Sequence, residues 1–280
     1  MSTGVGTVDA DHALQKKLCE IVTSKTGIQL PENKRTMIEG RLRKRVRALG
    51  MPNLRTYLTM VMDEGLLDTE LPHIINVMTT NKTDFFREDA HFTYLVQHIL
   101  PKHSVALPFK VWSAASSSGE EAYTTAMVLA EHAKRKAGFK YSIAGTDLST
   151  EIVAKARRGI YTPDDVADIP EGLRAEYLEA GHDSVGRPLS RVVKALRDRV
   201  KFTQMNLMDK AYPVERNMDV VLLRNVLIYF DEATQRKVVA SVTDHLKPGG
   251  YLFVGHSETS VASDRRLVQK AAAVFRKEVQ

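Results

Sequence analysis

The stretch Lys110 to Glu121, KVWSAASSSGEE, constrains the chain most. Val111 and Trp112 suit the interior of a short pleated strand. From Ala114 to Gly119 the side chains are small, so a ligand can come close to the backbone. Glu120 and Glu121 then open an apolar-periodic helix carrying Ala126, Val128, Leu129 and Ala133. A second strand, Tyr141 to Thr146, ends in Asp147. Strand, small-residue turn, helix, strand and terminal acid make the first half of a nucleotide-binding α/β unit.

The segment before this unit reads as helical throughout. Residues 1–11 are polar and expected to be disordered. Leu14, Leu18, Ile21 and Val22 mark one helix face. A second helix runs from about Lys34 to Leu49 with Ile38, Leu42, Val46 and Leu49 as its stripe. Its other face carries Lys34, Arg35, Arg41, Arg43, Lys44, Arg45 and Arg47 against one acid, Glu39. Gly50 and Pro52 end it, and Asn53 can cap a third helix. Leu71, Ile74, Ile75 and Met78 mark a fourth. TTNKTDFFR, residues 79–87, fits a junction, and a helix with Phe92, Leu95, Val96 and Ile99 leads to Pro101.

Beyond Asp147, Ser149 or Thr150 caps a helix to about Arg158. From Tyr161 to about Arg199 scattered glycines and prolines break the rhythm; an insertion with a helical piece and an antiparallel ribbon around Gly181–Val193 is expected. Strands resume at Val200–Met205 and at Met218–Leu223, the latter a near-continuous apolar run suited to a buried parallel strand. Asp231 caps a helix through His245. KPGG, residues 247–250, is expected to turn into the strand Tyr251–Val254, and Ala271–Arg276 to form the last strand. The division expected is a helical domain over 12–80, a linker motif and helix over 81–108, and an α/β domain over 109–280 with an inserted β-subdomain at about 178–199.

Composition enters by exclusion. A single cysteine, Cys19, rules out an internal disulfide framework and fits a reducing compartment. No apolar run reaches the ~18 residues a membrane span needs, and the N-terminus lacks a signal-peptide core. A cytoplasmic protein is expected, with no membrane insertion, acting as a monomer. The formal charge of +6 predisposes it to acidic partners without naming them. The nine histidines show no metal-ligand spacing and no metal site is expected.

Open α/β sheets bind ligands at the carboxyl ends of their strands. Those ends carry Ser113–Glu121, Asp147, Asn206–Leu207 and Arg224–Asn225. An acid ending the second strand can accept both ribose hydroxyls. The loop has one glycine, so the dinucleotide fingerprint G-x-G-x-x-G is absent, as is the phosphate loop. Glu120 and Glu121 at the helix start would repel a pyrophosphate and suit a cation. S-adenosylmethionine has a ribose, an adenine, a sulfonium and an ammonium, and no phosphate; the residues point to it over a nicotinamide dinucleotide.

WSAASSSGEEAYTTAM, GTDLS, FTQMNL, LLRNVLIYFD and LKPGGYLFVGHSE together resemble the successive motifs of the chemotaxis receptor glutamate methyltransferases, the CheR family. TTNKTDFFRE resembles that family's interdomain motif, and the resemblance covers roughly residues 14–277. It implies an all-helical N-terminal domain joined to a Rossmann-like S-adenosylmethionine methyltransferase domain bearing a small antiparallel β-subdomain. It implies that Asn81, Thr83 and Arg87 line the cofactor and transfer site. Glu121 would meet the methionine end of the cofactor and Asp147 the ribose. Asn206, Leu207, Arg224 and Asn225 would frame the adenine and the reaction centre, with Tyr229 near the transferred methyl. The implied partners are the cytoplasmic methylation helices of chemoreceptors in membrane-bound arrays. In some members the β-subdomain also docks a peptide at the receptor's C-terminus.

The implied reaction esterifies a receptor glutamate. With a free pKa of ~4.3, that glutamate is already an anion and needs no general base. Arg87 is expected to position the carboxylate, its fork matching two oxygens, and Tyr229 to shape the methyl passage. Arg41, Arg43, Lys44 and Arg47 are expected to dock the acidic receptor helices. One rival is a nucleic-acid methyltransferase, but the tetrapeptide [DN]-P-P-[YFW] common in amino-methylating enzymes is missing. A second rival is a non-catalytic cofactor sensor, against which Arg87, Asn225 and Tyr229 argue.

Overall fold

The structure, a computed structural model, describes residues 5–262 and 264–278, with side chains from His12 onward. Four helices come first: α1 (Val5–Thr26), α2 (Arg35–Ala48), α3 (Leu54–Asp63) and α4 (Leu67–Met78). Leu18, Val22, Ile38, Leu42, Tyr57 and Ile74 are among the residues that close their shared core. Asn53 caps α3 by accepting the Thr56 N–H at 2.9 Å. The expected disorder of residues 1–11 is corrected from Val5 on, where α1 begins; residues 1–4 lie outside the described residues. Once α1 is nucleated on packed Leu18 and Val22, each further residue adds a hydrogen bond at low cost, and residues 7–13 hold no proline or glycine to stop it.

A short helix, α5 (Ala90–Tyr94), continues into a π turn over Leu95–Ile99 that buries Leu95 and Ile99 and leaves Val96 outward. The α/β layer follows as β1 (Phe109–Ser113), α6 (Glu120–Arg135), β2 (Tyr141–Asp147) and α7 (Thr150–Arg158). Ser149 is the cap of α7, accepting the Ile152 N–H. The insertion is β3 (Ile160–Tyr161), α8 (Glu171–Tyr177), β4 (Leu178–His182), β5 (Pro188–Val192) and α9 (Lys194–Arg197). Its sheet has three strands in the order β3-β5-β4, so the expected ribbon gains a third strand from Ile160–Tyr161.

The chain then returns through β6 (Val200–Gln204), β7 (Met218–Leu223), α10 (Glu232–His245), β8 (Leu246–Val254), β9 (Leu267–Ala271) and β10 (Val274–Lys277). The large sheet has the order β6-β2-β1-β7-β8-β10-β9, parallel except where β10 runs antiparallel to β8 and β9. Two expectations are corrected here. KPGG lies within β8 as an irregularity of its pairing with β7, because β7 needs a partner already at Met218. The last strand is a hairpin, turned by Ala273 in the left-handed region at φ 57°. From β1 the order runs outward through β2 to β6, then crosses to β7 and β8. The reversal beside β1 is where such sheets open a crevice.

Candidate active site

That crevice is a cleft lined by both halves of the molecule. Asn81, Thr83, Arg87, Glu121, Asp147, Asn206, Leu207, Arg224, Asn225 and Tyr229 all line it. Apolar walls come from Ala114, Leu148, Met205 and Phe230, and the helical half adds Ile28, Lys34, Met37 and Arg41. The strand exits are knitted together below it: Trp112 Nε1 donates to Thr146 Oγ1 at 2.9 Å, and that hydroxyl donates to the Ala114 carbonyl at 3.1 Å.

Asp147 ends β2 under close control. Its Oδ2 accepts the Ser117 N–H at 2.9 Å and its Oδ1 the Ser149 N–H at 3.0 Å. Ser117 reaches that position in the left-handed region, at φ 48°. Burial raises the Asp147 pKa and the backbone N–H groups pull it back only in part. A carboxylate so fixed keeps lone pairs facing the cleft for hydroxyl donors.

Arg224, at the end of β7, is a buried hub. Its Nη1 donates to Glu121 Oε2 at 3.1 Å and its Nη2 to Glu88 Oε2 at 3.2 Å and to the Arg87 carbonyl. Glu121 Oε1 accepts the Ser113 hydroxyl at 2.6 Å. Glu121 and Arg224, expected as separate ligand contacts, are therefore partners of each other first. Burial raises the Glu121 pKa, with Arg224 and Ser113 opposing. Burial also works against the charge of Glu88, but Arg224 and Asn225 outweigh it and its pKa is lowered. Two carboxylates around one guanidinium leave this end of the cleft with an excess of negative charge.

Asn225 holds a left-handed backbone at φ 57°. Its N–H donates to Glu258 Oε2 at 2.7 Å and its side chain to Glu88 Oε1 at 3.3 Å. Fully buried Glu258 also accepts the N–H groups of Gly255 and Ile228. Tyr229 is fixed through its backbone, whose carbonyl accepts the Gln29 N–H at 2.8 Å. The Asn206 amide donates to the Lys25 carbonyl at 2.7 Å. Both residues thus lean on the end of α1 and the turn that follows it.

Arg87 is placed differently. Among the described residues its guanidinium has one hydrogen bond, Nη1 to the Lys82 carbonyl at 3.3 Å, and no carboxylate partner. A guanidinium lining a cleft without a counterion is available to an incoming anion.

Several residues sit where the sequence did not suggest. Glu120 turns away from the cleft toward Ser118, whose hydroxyl it accepts at 2.8 Å, and burial pushes its pKa up to about 7. Gly119 serves packing, since a Cβ there would meet Tyr161, Ala156 and Phe202 at 3.0–3.1 Å. Arg41 is not a free docking cation. It donates to the Met78 carbonyl and, at 2.9 Å, to Thr80 Oγ1, so it ties α2 to the junction. Arg45 forks onto buried Glu70 with two bonds of 2.7 Å. Arg43, Lys44 and Arg47 stay exposed. Among the described residues, ligand atoms of Glu88, His91 and His256 lie within 4.8 Å of one another. The fold brings these histidines together where sequence spacing could not. Burial drives His91 down to about 4, so its ring is neutral at neutral pH.

Residues 81–274 match the family described as CheR methyltransferase, SAM binding domain, and residues 15–79 match CheR methyltransferase, all-alpha domain. The chain belongs to the CheR methyltransferase family. It is 35% identical over 268 residues to the chemotaxis protein methyltransferase of Borreliella burgdorferi, covering 93% of each chain. It is 37% identical to that of Salmonella typhimurium, over 87% of this chain and 82% of the relative. With the Escherichia coli protein it shares 34% identity over 93% of this chain and 89% of the other. The protein is an S-adenosylmethionine-dependent methyltransferase of chemotaxis, with an all-helical domain ahead of a Rossmann-like one.

The cleft fits this family's cofactor. Its polar groups are a buried aspartate suited to ribose and a carboxylate-rich end suited to a sulfonium and an ammonium, with Ala114, Met205 and Phe230 offering apolar contact for a base. Sequence reasoning missed Glu88, Glu258 and Ser117. Glu258 stands within GHSE, but only the structure shows that its three backbone donors come from two separate strand exits. Among the described residues no helix is long and apolar enough to cross a membrane.

Proposed function

We propose that the protein transfers the methyl group of S-adenosylmethionine to side-chain carboxylates of glutamates in chemotaxis receptors, forming methyl esters for sensory adaptation. The observation that carries this reading is Arg87, a guanidinium without a carboxylate partner in a cleft whose other charged end is anionic. When bound, S-adenosylmethionine supplies a methyl group on a positively charged sulfur, which a carboxylate can take up with no proton moving. Asp147 would hold the ribose, and Glu121 the cofactor's cationic groups. Asn81, Thr83, Asn206, Leu207, Arg224 and Asn225 would complete the cofactor contacts. Arg87 would orient the substrate carboxylate by one oxygen, leaving the other free. Too tight a pair would stabilise the ground state as much as the transition state. Tyr229 would close the passage between the two and exclude water.

Exposed Arg43, Lys44 and Arg47 on α2 would meet the acidic methylation helices. The edge strand β4, exposed from Glu179 to His182, could accept a receptor tail as an added strand. Incubating the protein with tritiated S-adenosylmethionine and isolated receptor fragments should give a base-labile label on receptor glutamates. Label in nucleic acid, or none anywhere, would overturn the proposal.

A further inference from the structure

The geometry points to Glu88 as a positioning residue that aims Arg87 into the cleft; this rests on the reading of Arg87 as the group that holds the substrate carboxylate. Arg87 lies between two non-glycine residues in the left-handed region, Phe86 at φ 55° and Glu88 at φ 53°. Such backbone is unfavourable and persists only where surrounding bonds enforce it. Thr124 Oγ1 accepts the Phe86 N–H at 3.1 Å on one side of Arg87, and the Glu88 carboxylate anchors the other. Its Oε2 accepts Arg224 Nη2 at 3.2 Å and Nε at 3.4 Å. Its Oε1 accepts the Asn225 amide at 3.3 Å and the His256 N–H at 3.5 Å.

The same Nη2 of Arg224 donates to the carbonyl of Arg87. One buried guanidinium therefore holds both the peptide after Arg87 and the side chain of Glu88, and Glu121 holds that guanidinium from behind. The backbone of Arg87 is fixed, while its own guanidinium touches only the Lys82 carbonyl. Glu88 acts through Arg87 and need not touch substrate.

A carboxylate is required because four donors converge on it. Glutamine would offer one acceptor oxygen and turn its own N–H groups toward Arg224 or toward Asn225 and His256. The nearness of His91 and His256 could suggest a metal site instead. Both oxygens of Glu88 already accept two donors each, from Arg224, Asn225 and the His256 N–H, which leaves neither free as a metal ligand.

The test compares full-length wild type with Glu88→Gln. Four quantities are read: S-adenosylhomocysteine affinity by calorimetry, Tm, methyl transfer to receptor fragments, and the phenylglyoxal labelling rate of Arg87 by peptide mass spectrometry. Misaiming Arg87 should lower kcat by about tenfold or more. Cofactor affinity should change by less than about threefold, because Glu121 still pins Arg224 and Glu258 still pins Asn225. Labelling of Arg87 should shift severalfold and that of Arg43 should not. Unchanged labelling of Arg87 overturns the inference, whether transfer is normal or falls in step with Tm and cofactor affinity. If the wild type methylates no receptor carboxylate, the proposed function fails, and the labelling still decides whether Glu88 sets Arg87.

Discussion

At the scale of single residues, Arg87 and Glu120 lead to different measurements. Replacing Arg87 with lysine keeps the charge and removes the fork. We expect kcat/KM for receptor to fall roughly tenfold to a hundredfold, a loss of one well-oriented charged hydrogen bond, while calorimetry finds cofactor affinity little changed. Glu120 bears on stability. Burial holds its pKa at about 7 in the folded protein, above the unfolded value near ~4.3. The folded state then binds the extra proton, so stability falls as pH rises between those two values and levels off above the upper one. Glu120→Gln should remove that slope and raise Tm at pH ~8, by an amount equivalent to roughly 4 kcal/mol at most. A pH-stability curve parallel to the wild type would contradict the assignment. Neither the turn of Glu120 away from the cleft nor the role of Glu88 was legible in the sequence. Both depend on partners brought together by folding; Arg224 is 136 positions from Glu88. The place of Asp147 in the cleft was legible because it ends the strand that follows the small-residue turn and helix.

At the scale of elements, legibility followed burial. The strand Met218–Leu223 is buried at every position, so its apolar run fixes both ends. The strand Leu267–Ala271 lies at the sheet edge with half-exposed and exposed residues, and its pattern does not separate it from a loop. The two-residue strand Ile160–Tyr161 is too short to show any period. The turn after α1 carries a prediction of its own. Gly27 sits at φ 75°, and a Cβ there would lie 2.7 Å from Met208 Sδ and 3.2 Å from Phe230. Gly27→Ala should destabilise by roughly 2 kcal/mol through strain and overlap. It should also weaken S-adenosylhomocysteine binding, because Gln29 and Lys25 flank this turn and hold Tyr229 and Asn206. Unaltered affinity in a calorimeter would show that the turn does not set the cleft.

At the scale of the whole molecule, charge is divided by place. The cleft keeps its carboxylates inside, while Arg43, Lys44 and Arg47 face solvent on α2. Reversing Arg43 and Lys44 to glutamate should raise the receptor KM several-fold, more at low salt than at high, and leave cofactor affinity as it was. Receptor kinetics identical to wild type at every ionic strength would remove the docking role from this face.

The bonds from Asn206 to Lys25 and from Gln29 to Tyr229 make the helical half a wall of the cleft as well as the bearer of the proposed docking face. The catalytic half made alone would be a vessel with one side cut away, its nucleoside-holding loops open to water. A chimera carrying a relative's helical half would need the contact residues from Lys25 to Arg41 recut to fit. If α2 docks receptors as proposed, receptor choice and cofactor retention share a single stretch of chain, and a change made for one would be felt by the other.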